Sequence, residues 1–377
     1  MAMTPEQRKR YSRQLILPEV GFEGQERLLN AKVLIVGLGG LGSPVALYLC
    51  AAGVGHLGLL DDDVVDTSNL QRQVLYSTAE AGHPKVTCAA ERLRGLNPEV
   101  TLTEHPVRLC VDNALDLISQ YDLVIDGTDN FPTRYLVNDA CVLTGKTNVY
   151  GSILRFEGQV SVLAHAQGPC YRCLFPNPPL PGEVPNCAQA GVIGALPGLI
   201  GTAQAAEAIK LILGTGEPLI GRLWLMDALR MQSQVMNIKK NPDCPLCGAH
   251  PSIHTLKEIP FACASAVNQD DDIESLTPRE AAQRLQQDPQ GTVLLDVRTA
   301  QEVLAASIDG AVHIPLDQLE SRLGEVQVWR DKTIIIYCHV GIRSLTAARL
   351  LRDRGITRIV NMTGGIERWQ HDMETPD

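Results

Sequence analysis

The stretch Val33-Leu34-Ile35-Val36-Gly37-Leu38-Gly39-Gly40-Leu41-Gly42 decides the fold of this chain. Its apolar run predicts a short buried strand, its glycines predict a tight turn, and Leu41 to Ala52 has the spacing of a helix. Gly37, Gly39 and Gly42 fit the pattern G-x-G-x-x-G, which lets a phosphate group approach the N-terminus of a helix closely. The stretch therefore predicts a strand, a turn and a helix that together bind a nucleotide.

Strand-like and helix-like segments alternate from about residue 14 to residue 250. His56 to Leu60 predicts a second strand, Lys85 to Leu96 predicts a helix, and Leu123 to Ile125 predicts another buried strand. This alternation is typical of the α/β class with a doubly wound, mostly parallel sheet. We therefore expect one large α/β domain over residues 5–250.

A change of composition follows this domain. Residues 251–274 include the acidic run Asp270-Asp271-Asp272 and are expected to form a linker. Thr277-Pro278-Arg279-Glu280 is then a capping box with proline at the first helical position. The next apolar run, Thr292 to Leu295, predicts a strand. Residues 275–377 are expected to form a second, smaller α/β domain.

The composition excludes several classes of protein. The chain has 377 residues, 45% of them hydrophobic, which supports two or three cores. Its formal net charge of −10 disfavours general nucleic-acid binding. The polar N-terminus does not resemble a signal peptide, and the apolar stretch Ala190 to Leu213 is interrupted by Pro197, Glu207 and Lys210. We expect a cytoplasmic protein that does not cross a membrane.

Two cysteine pairs have the spacing of metal ligands. The chain has eleven cysteines, an odd number, and no apparent secretory signal, so a disulfide framework is not expected. The pairs are Cys170 with Cys173 and Cys244 with Cys247. A single pair would fit a redox dithiol, but two pairs favour a closed tetrahedral Zn²⁺ site with a structural role.

Charged and polar side chains follow the predicted strands. Asp61 lies nineteen residues after Gly42, where a carboxylate can bind ribose hydroxyls as in dinucleotide-binding enzymes. An NAD-dependent dehydrogenase therefore remains an alternative. However, Arg72 and Lys85 could neutralise phosphates and Asp129 could hold Mg²⁺, and a nicotinamide pocket does not need so much charge. Taken together, these charged side chains favour a reaction in which a nucleophile displaces a group at the phosphorus of a phosphoryl-bearing substrate.

A lone cysteine near the end of the chain indicates different chemistry. Cys338 follows the predicted strand Thr333 to Tyr337 and precedes a helix-like segment from Ser344 to Arg354. A strand, a tight loop and a helix N-terminus would direct several backbone N–H groups at the sulfur. Because such surroundings favour negative charge, we expect the thiol to ionise readily and to carry sulfur.

Residues 5–250 resemble a known family. Arg10-Tyr11-Ser12-Arg13-Gln14, the glycine turn, Ser68-Asn69-Leu70-Gln71-Arg72-Gln73, Lys85 and Thr128-Asp129-Asn130 resemble the adenylyltransferases of molybdopterin and thiamine biosynthesis. These enzymes are relatives of the ubiquitin-activating enzymes, and the resemblance implies a Rossmann-like domain that uses ATP and Mg²⁺ rather than NAD. It also implies a structural zinc at the four cysteines.

The resemblance assigns individual residues. It implies that Gly40 contacts the nucleotide, that Asp61 binds the ribose and that Asp129 lies near the metal. The full set implied for the nucleotide is Arg13, Gly39, Gly40, Asp61, Ser68, Asn69, Leu70, Gln71, Arg72, Gln73, Lys85, Asp129 and Asn130. Within it Asn69, Arg72 and Lys85 would contact phosphates. Arg13 would reach into the site of a partner subunit, which implies a homodimer.

The family reaction implies the partner. A small ubiquitin-like sulfur carrier offers its C-terminal Gly-Gly carboxylate, which attacks the α-phosphorus of ATP. Pyrophosphate leaves and an acyl-adenylate remains. A carboxylate is already ionised at pH 7, so the enzyme supplies positioning and charge stabilisation.

Cys187 has two interpretations. It follows a proline-rich stretch, and the sequence alone gives an unreactive and a reactive loop cysteine equal weight. The resemblance favours a residue that forms a glycyl-thioester or a disulfide. Conjugation of the carrier to a protein lysine through Cys187 stays open as an alternative, although conjugation does not require sulfane sulfur.

Residues 275–377 resemble a rhodanese domain. Leu295-Asp296-Val297-Arg298, Ile314-Pro315-Leu316 and Gly364-Gly365-Ile366-Glu367-Arg368-Trp369 match its landmarks, and Cys338 to Arg343 matches its active loop. The four residues between Cys338 and Arg343 make a smaller loop than in the phosphatase relatives. This size implies a persulfide on Cys338, with Arg343 orienting the loop or holding an anion.

One segment departs from the rhodanese pattern. The chain has Ala306-Ser307-Ile308-Asp309-Gly310-Ala311 where the family usually has Gly-His-Ile-Pro-Gly-Ala. We expect this change to affect packing, or the surface that receives the sulfur donor, more than the chemistry.

The two resemblances predict two coupled steps. The first domain adenylates the carrier, and Cys338, loaded by a cysteine desulfurase, thiosulfate or a similar donor, attacks the adenylate. Cys187 or an external reductant then releases a thiocarboxylate. The alternatives are the dehydrogenase, a scaffold that consumes no ATP, and the conjugating enzyme.

Overall fold

The computed structural model describes residues 3–178, 191–259, 273–339 and 341–374. These residues form two compact units, one of residues 3–178 and 191–259 and one of residues 273–374. Each unit has hydrophobic cores of its own.

The first unit contains nine helices and eight strands among its described residues. The helices are α1 Pro5–Arg10, α2 Ser12–Leu15, α3 Gly21–Asn30, α4 Gly42–Ala52, α5 Lys85–Leu96, α6 Ala114–Ser119, α7 Phe131–Thr144, α8 Tyr171–Leu174 and α9 Ala195–Leu213. The strands are β1 Lys32–Val36, β2 His56–Leu60, β3 Thr101–His105, β4 Leu123–Asp126, β5 Thr147–Leu154, β6 Glu157–Leu163, β7 Arg222–Asp227 and β8 Gln232–Asn237.

All eight strands form one sheet. Its order is β3-β2-β1-β4-β5-β6-β7-β8, with parallel pairing from β3 to β5 and antiparallel pairing from β5 to β8. The predicted α/β class and the doubly wound, mostly parallel sheet are therefore confirmed. The chain order reverses between β1 and β4, and ligands of such sheets bind outside the carboxyl ends of the strands at this point.

Helix α9 packs as a core helix. Its 19 residues are long and apolar enough to cross a membrane by length and composition alone, and about half of them are buried inside the unit. Its buried Gln204 donates from Nε2 to the backbone oxygens of Asp126 and Val149, at 2.8 and 3.0 Å. The helix thus covers the strand end that leads into the site described below.

The second unit is a smaller parallel α/β structure. Its strands are β9 Glu274–Leu276, β10 Thr292–Asp296, β11 Val312–His313, β12 Thr333–Tyr337 and β13 Ile359–Met362, in the order β11-β10-β12-β13-β9. Its helices are α10 Pro278–Gln287, α11 Ala300–Ala305, α12 Leu316–Leu319, α13 Leu323–Gln327, α14 Ile342–Asp353 and α15 Gly365–Glu374. The predicted capping box at Thr277 is present and begins α10.

Two boundaries differ from the sequence predictions. Residues 251–259, predicted as linker, pack on the first unit, where Leu256 is buried. The helix predicted from Ser344 begins at Ile342, directly after Gly341. The rest of the predicted linker, residues 260–272, lies outside the described residues.

Candidate active sites

The glycine turn between β1 and α4 requires glycine for steric reasons. Gly37 has a φ of +85°, a region that other residues rarely adopt. A Cβ added to Gly42 would lie 1.9 Å from the backbone oxygen of Gly37, and one added to Gly127 would lie 2.8 Å from the same oxygen. The backbones of the turns that follow β1 and β4 are therefore in direct contact, with no room for side chains between them. This leaves open space above the carboxyl ends of the strands.

A cavity of about 390 Å³ lies at the carboxyl ends of these strands. Eight of the predicted nucleotide residues line it, namely Gly39, Gly40, Asp61, Arg72, Gln73, Lys85, Asp129 and Asn130. Asp62, Asp63, Arg108 and Arg134 also line it, so its lining carries four aspartates and four cationic side chains. A triphosphate would therefore need further positive charge to bind here.

Asp61 joins the glycine turn to the next strand. Its carboxylate accepts hydrogen bonds from the backbone N–H of Leu38 at 2.7 Å and from that of Asp63 at 3.0 Å. Burial raises the pKa of Asp61 above its usual range, and the charge of Lys85 opposes this shift. Asp61 thus holds the turn in addition to facing the cavity.

Lys85 and Arg72 supply positive charge. Lys85 begins α5, and its Nζ lies 2.5 Å from the Asp63 carboxylate, with its side chain 6% exposed. Arg72 donates from Nη1 to the backbone oxygen of Ser68 at 3.1 Å. Asp63 was not predicted, because only the folded chain reveals that it pairs with Lys85.

Five predicted nucleotide residues do not line the cavity in this chain. Ser68 and Asn69 lie in a short 3₁₀ turn, and Ser68 donates to the Asp66 carboxylate at 2.7 Å from its N–H and 2.5 Å from its hydroxyl. Leu70 packs against the core and Gln71 lies against Gly194. Arg13 is exposed on α2.

The turn after β4 presents Asp129. Buried Asp126 accepts from the Thr128 N–H at 3.0 Å and from the Thr128 hydroxyl at 2.6 Å. Arg134 donates from Nη2 to the Thr128 backbone oxygen at 3.2 Å. Asn130 caps α7 by accepting from the Thr133 N–H at 3.0 Å. Arg134 was not among the predicted residues, because its contact with Thr128 is visible only in the folded chain.

The four predicted metal ligands come together. The sulfur atoms of Cys170, Cys173, Cys244 and Cys247 all lie within 4.8 Å of one another. Individual S···S distances are 3.9 Å for Cys170–Cys173, 3.6 Å for Cys170–Cys244 and 3.4 Å for both Cys173–Cys247 and Cys170–Cys247. A tetrahedral Zn²⁺ with four thiolates places its sulfurs about 3.8 Å apart, so these residues fit that ion.

The Cys338 loop of the second unit is a compact cradle. The side chain of Cys338 is fully buried, and the backbone N–H of Gly341 donates to its sulfur at 3.1 Å. The Ser344 hydroxyl lies 3.6 Å from the same sulfur. Gly341 has a φ of +98°, which lets the loop turn directly into α14.

Helix α15 holds the loop from the opposite side. The N–H of Ile366 donates to the Cys338 backbone oxygen at 2.9 Å, and that of Glu367 donates to the His339 oxygen at 3.2 Å. A Cβ on Gly365 would lie 2.3 Å from the His339 oxygen. The Gly364–Trp369 landmark is therefore the segment that fixes the loop backbone.

Arg343 is engaged by a carboxylate. Its guanidinium group donates to both oxygens of Glu302, at 2.9 and 2.6 Å, and Glu302 also accepts from Thr299. Burial acts to raise the pKa of Glu302, but Arg343 and Thr299 outweigh it and lower the pKa to about 2. Two roles were predicted for Arg343, orienting the loop and holding an anion. The pairing with Glu302 is compatible with the first of them.

The Leu295–Arg298 landmark supports the same loop. Arg298 is 2% exposed, binds the Asp296 carboxylate through Nε and Nη2, and lies over the Tyr337 ring at 5.5 Å. Its Nη2 also donates to the Ala306 backbone oxygen at 2.7 Å. The divergent segment keeps a tight turn, with Gly310 at a φ of +80° and Ile308 buried.

Cys187 lies outside the described residues. The predictions made for it are taken up under the proposed function.

Comparisons with known proteins match each part of the chain to a family. Residues 11–246 match the model of the ThiF family, and residues 277–372 match that of the rhodanese-like domain. The chain belongs to the ThiF family. Because the ThiF match covers more than half of the chain, the resemblance predicted from sequence is confirmed.

Two relatives of this ThiF-family chain align with nearly all of it, and a third aligns with 70% of it. It is 44% identical over 385 residues to the probable adenylyltransferase/sulfurtransferase MoeZ of Mycobacterium tuberculosis, covering 100% of this chain and 96% of that protein. It is 48% identical over 396 residues to the adenylyltransferase and sulfurtransferase MOCS3 of Mus musculus, covering 98% and 86%. The sulfur carrier protein adenylyltransferase of Thermus thermophilus is 53% identical over 268 residues, covering 70% and 99%.

Solved structures agree at the level of the fold. Escherichia coli MccB, crystallised with MccA-N7isoASN, matches with a TM-score of 0.58 and 24% identity over 63% of this chain and 74% of that chain. The two family matches and the relatives MoeZ and MOCS3 show that the ThiF-family chain is an adenylyltransferase and sulfurtransferase, and ATP is the nucleotide that fits this family. This activity replaces the alternative interpretation of the chain as an NAD-dependent dehydrogenase.

Proposed function

We propose that this enzyme adenylates the C-terminal glycine of a small ubiquitin-like sulfur carrier and converts it to a thiocarboxylate. One observation carries the proposal: a charged nucleotide cavity and a glycine-cradled cysteine loop lie on one chain. The relative from Thermus thermophilus is named a sulfur carrier protein adenylyltransferase, which supports the choice of substrate.

Adenylation would occur in the cavity of the first unit. The α-phosphate lies against the glycine turn at the N-terminus of α4, and Asp61 binds the ribose. Arg72 and Lys85 neutralise the phosphates as pyrophosphate leaves, with Asn69 turned toward them when nucleotide binds. The carrier's carboxylate attacks the α-phosphorus, a P–O bond to pyrophosphate breaks, and an acyl-adenylate forms.

The proposed enzyme would bind two metal ions, Mg²⁺ in the adenylation cavity and Zn²⁺ at the four cysteines. Asp129 is exposed in a cavity whose lining charges balance, so its carboxylate suits Mg²⁺, which would supply the positive charge a triphosphate needs. The four cysteines suit Zn²⁺ in a closed structural site, with no free position for catalysis.

Cys338 would carry the sulfur as a persulfide. Its terminal sulfur attacks the acyl carbon, the bond from that carbon to the AMP oxygen breaks, and an acyl disulfide forms. The Cys187 thiolate then attacks the Cys338 sulfur, which releases the thiocarboxylate and leaves a Cys187–Cys338 disulfide. A dithiol reductant restores both thiols or replaces Cys187 in this step.

A cytoplasmic homodimer would be the working form. Arg13 is exposed and does not line the cavity of its own chain, which leaves it able to enter the cavity of a partner subunit. The sulfur donor would be a cysteine desulfurase or thiosulfate.

The test is a mass measurement on the carrier. Purified enzyme with ATP, Mg²⁺, thiosulfate and a carrier ending in Gly-Gly should exchange one oxygen of the carrier for sulfur. Cys338→Ala should abolish this product and leave carrier-dependent ATP–pyrophosphate exchange at the wild-type rate. The absence of product with wild type, or an undiminished yield with Cys338→Ala, would refute the proposal.

A further inference from the structure

A buried polar cluster lies behind the adenylation cavity. Arg134 of α7 lines the cavity, yet the residue is only 7% exposed. Its guanidinium group lies over the rings of Phe131 and Tyr150, at 5.6 and 5.3 Å from their centroids. These rings prevent the side chain from turning, so the guanidinium group has one fixed orientation.

Arg134 supports the turn that carries Asp129. Its Nη2 donates to the Thr128 backbone oxygen, while the Asp126 carboxylate holds the N–H and hydroxyl of the same residue. Thr128 is thus fixed on three of its polar groups. Burial raises the pKa of Asp126, and the charge of Arg134 opposes this, so the two buried groups also depend on each other electrostatically.

The cysteine cluster reaches this arginine through Tyr171. Tyr171 lies between Cys170 and Cys173, and its ring packs against Tyr135 at 5.0 Å and Tyr150 at 5.5 Å. Burial acts to lower the pKa of Arg134, but Tyr150, Asp126 and a hydrogen bond with the Tyr171 side chain raise it. Tyr150 contacts both the ring of Tyr171 and the guanidinium group of Arg134, so Tyr171 is also connected to Arg134 through that ring.

Two further contacts fix the same cysteine turn on α7. Asn138 accepts from the Tyr171 N–H at 2.6 Å. Arg172 binds both oxygens of the Asp139 carboxylate, at 2.7 to 3.0 Å, and both side chains are at least nine-tenths buried. Successive residues of α7 thus hold successive residues of the C-x-x-C turn, which sets the distance from Tyr171 to Arg134.

We propose that Arg134 is a positioning residue for adenylation, and that Tyr171 of the C-x-x-C turn sets its position. The inference deepens the proposed function and rests on the role proposed there for Asp129. Arg134 would fix the Thr128–Asp129 turn from behind the cavity, and Tyr171 would fix Arg134. The cysteine cluster then contributes to the accuracy of the active site as well as to stability, because misplacement by about 1 Å can cost about 100-fold in rate.

The test compares two tyrosines of one cluster. Tyr171→Phe keeps the ring that packs on Tyr150 and removes the hydroxyl that stabilises the charged form of Arg134. Tyr135→Phe is the matched control, since the Tyr135 hydroxyl is directed to the backbone oxygens of Phe175 and Asn177 instead. Arg134→Lys keeps the buried charge but loses the planar group that spans Thr128 and the rings.

We expect Arg134→Lys to lower kcat of carrier-dependent ATP–pyrophosphate exchange at least about 10-fold and Tyr171→Phe to lower it about 3-fold. The KM for the carrier should be unchanged in both variants.

The second measurement is calorimetric binding of ATP with and without Mg²⁺. Arg134→Lys should keep the Mg²⁺-free affinity and lose most of the gain that Mg²⁺ confers. Tyr135→Phe should match wild type in both measurements, and circular dichroism checks that each variant is folded.

The outcomes separate the inference from the function on which it rests. Folded variants with wild-type kcat and wild-type Mg²⁺ dependence, or an equal loss in Tyr135→Phe, would overturn the inference alone. Wild-type enzyme without carrier-dependent exchange would overturn the proposed function, and the inference with it.

Discussion

At the scale of single residues, the groups predicted to react are held by groups that do not react. Asp61 binds the glycine turn, Asp63 pairs with Lys85, and Glu302 pairs with Arg343. Each carboxylate fixes a neighbour whose position matters for phosphate or sulfur chemistry. The accuracy of both sites therefore depends on carboxylates, of which Asp63 and Glu302 lie outside the predicted set.

Glu302 should make stability depend on pH. Its pKa of about 2 in the folded chain lies below its ordinary value of about 4.5. The contribution of the Glu302–Arg343 pair is thus fully present above about pH 4.5 and is lost as pH falls toward 2. We expect Glu302→Gln to cost about 1 kcal/mol at pH 7, because the pair is partly exposed, and almost nothing near pH 2.

The measurement is urea unfolding of the full chain across this pH range. Glu325→Gln is a suitable control, since Glu325 belongs to an exposed pair away from the loop. A difference between Glu302→Gln and wild type that grows as the solution becomes more acidic would contradict the assignment.

Gly365 should tolerate no side chain. Gly365→Ala places a Cβ 2.3 Å from the His339 backbone oxygen, so the Cys338 loop must shift. Gly355→Ala is the matched control, because Gly355 also has a positive φ, +86°, but has no atom within 4 Å of the added Cβ. Backbone strain should cost each variant about 1 kcal/mol of unfolding free energy, and Gly365→Ala should lose more because its Cβ also collides with the loop backbone.

Only Gly365→Ala should lose sulfur transfer, by at least about 10-fold, measured as persulfide formation on Cys338 by mass spectrometry. Equal persulfide formation in the two glycine variants would contradict the role assigned to α15.

At the scale of elements, α7 connects two sites. It begins at Asn130 beside the cavity and carries Asn138 and Asp139 to the cysteine turn. Because the helix is rigid, changes at the cysteine cluster are transmitted along it. A metal bound by the four cysteines would thus influence a site in which it has no chemical part.

Removal of one cysteine ligand should test this connection. Cys244→Ser should reduce bound zinc, measured by elemental analysis, from one per chain to a small fraction, and should cost at least about 2 kcal/mol of unfolding free energy. Cys110→Ser is the control, because Cys110 is half-buried and outside the cluster. Wild-type protein without zinc, with its thiols reduced, would refute the zinc assignment.

Elements were predictable where local pattern and tertiary structure agree. Lys85–Leu96 and Thr333–Tyr337 have the predicted bounds, because Pro84 and Pro98 flank the helix and an apolar run defines the strand. Residues 251–259, predicted as linker, pack on the first unit, and only this tertiary contact makes Leu256 a buried residue. Glu302 and Arg134 were missed for the same reason: their partners are 41 and 6 residues away, and no spacing rule specifies such pairs.

At the scale of the whole molecule, two units with separate cores carry separate chemistry. We expect a chain cleaved at an engineered protease site within residues 260–272 to retain both partial reactions. The first fragment should catalyse carrier-dependent ATP–pyrophosphate exchange, and the second should form the Cys338 persulfide. Each has its own sheet and does not need the other to complete its core.

The combined reaction should depend on the connection. At micromolar protein, cleavage should lower the yield of thiocarboxylate at least about 10-fold, because the tether supplies an effective concentration near the millimolar range. The control is the same engineered chain left uncleaved. An unchanged yield at dilution would show that the tether is dispensable.

The burial of the Cys338 side chain has a consequence for the resting enzyme. A thiol without solvent contact is shielded from alkylating agents and oxidants, whereas a persulfide extends about 2 Å farther and exposes its outer atom. The loaded and empty forms should therefore differ sharply in their rate of reaction with iodoacetamide. The empty thiol must still reach its sulfur donor, so the loaded form would be the more reactive of the two rather than the only reactive one.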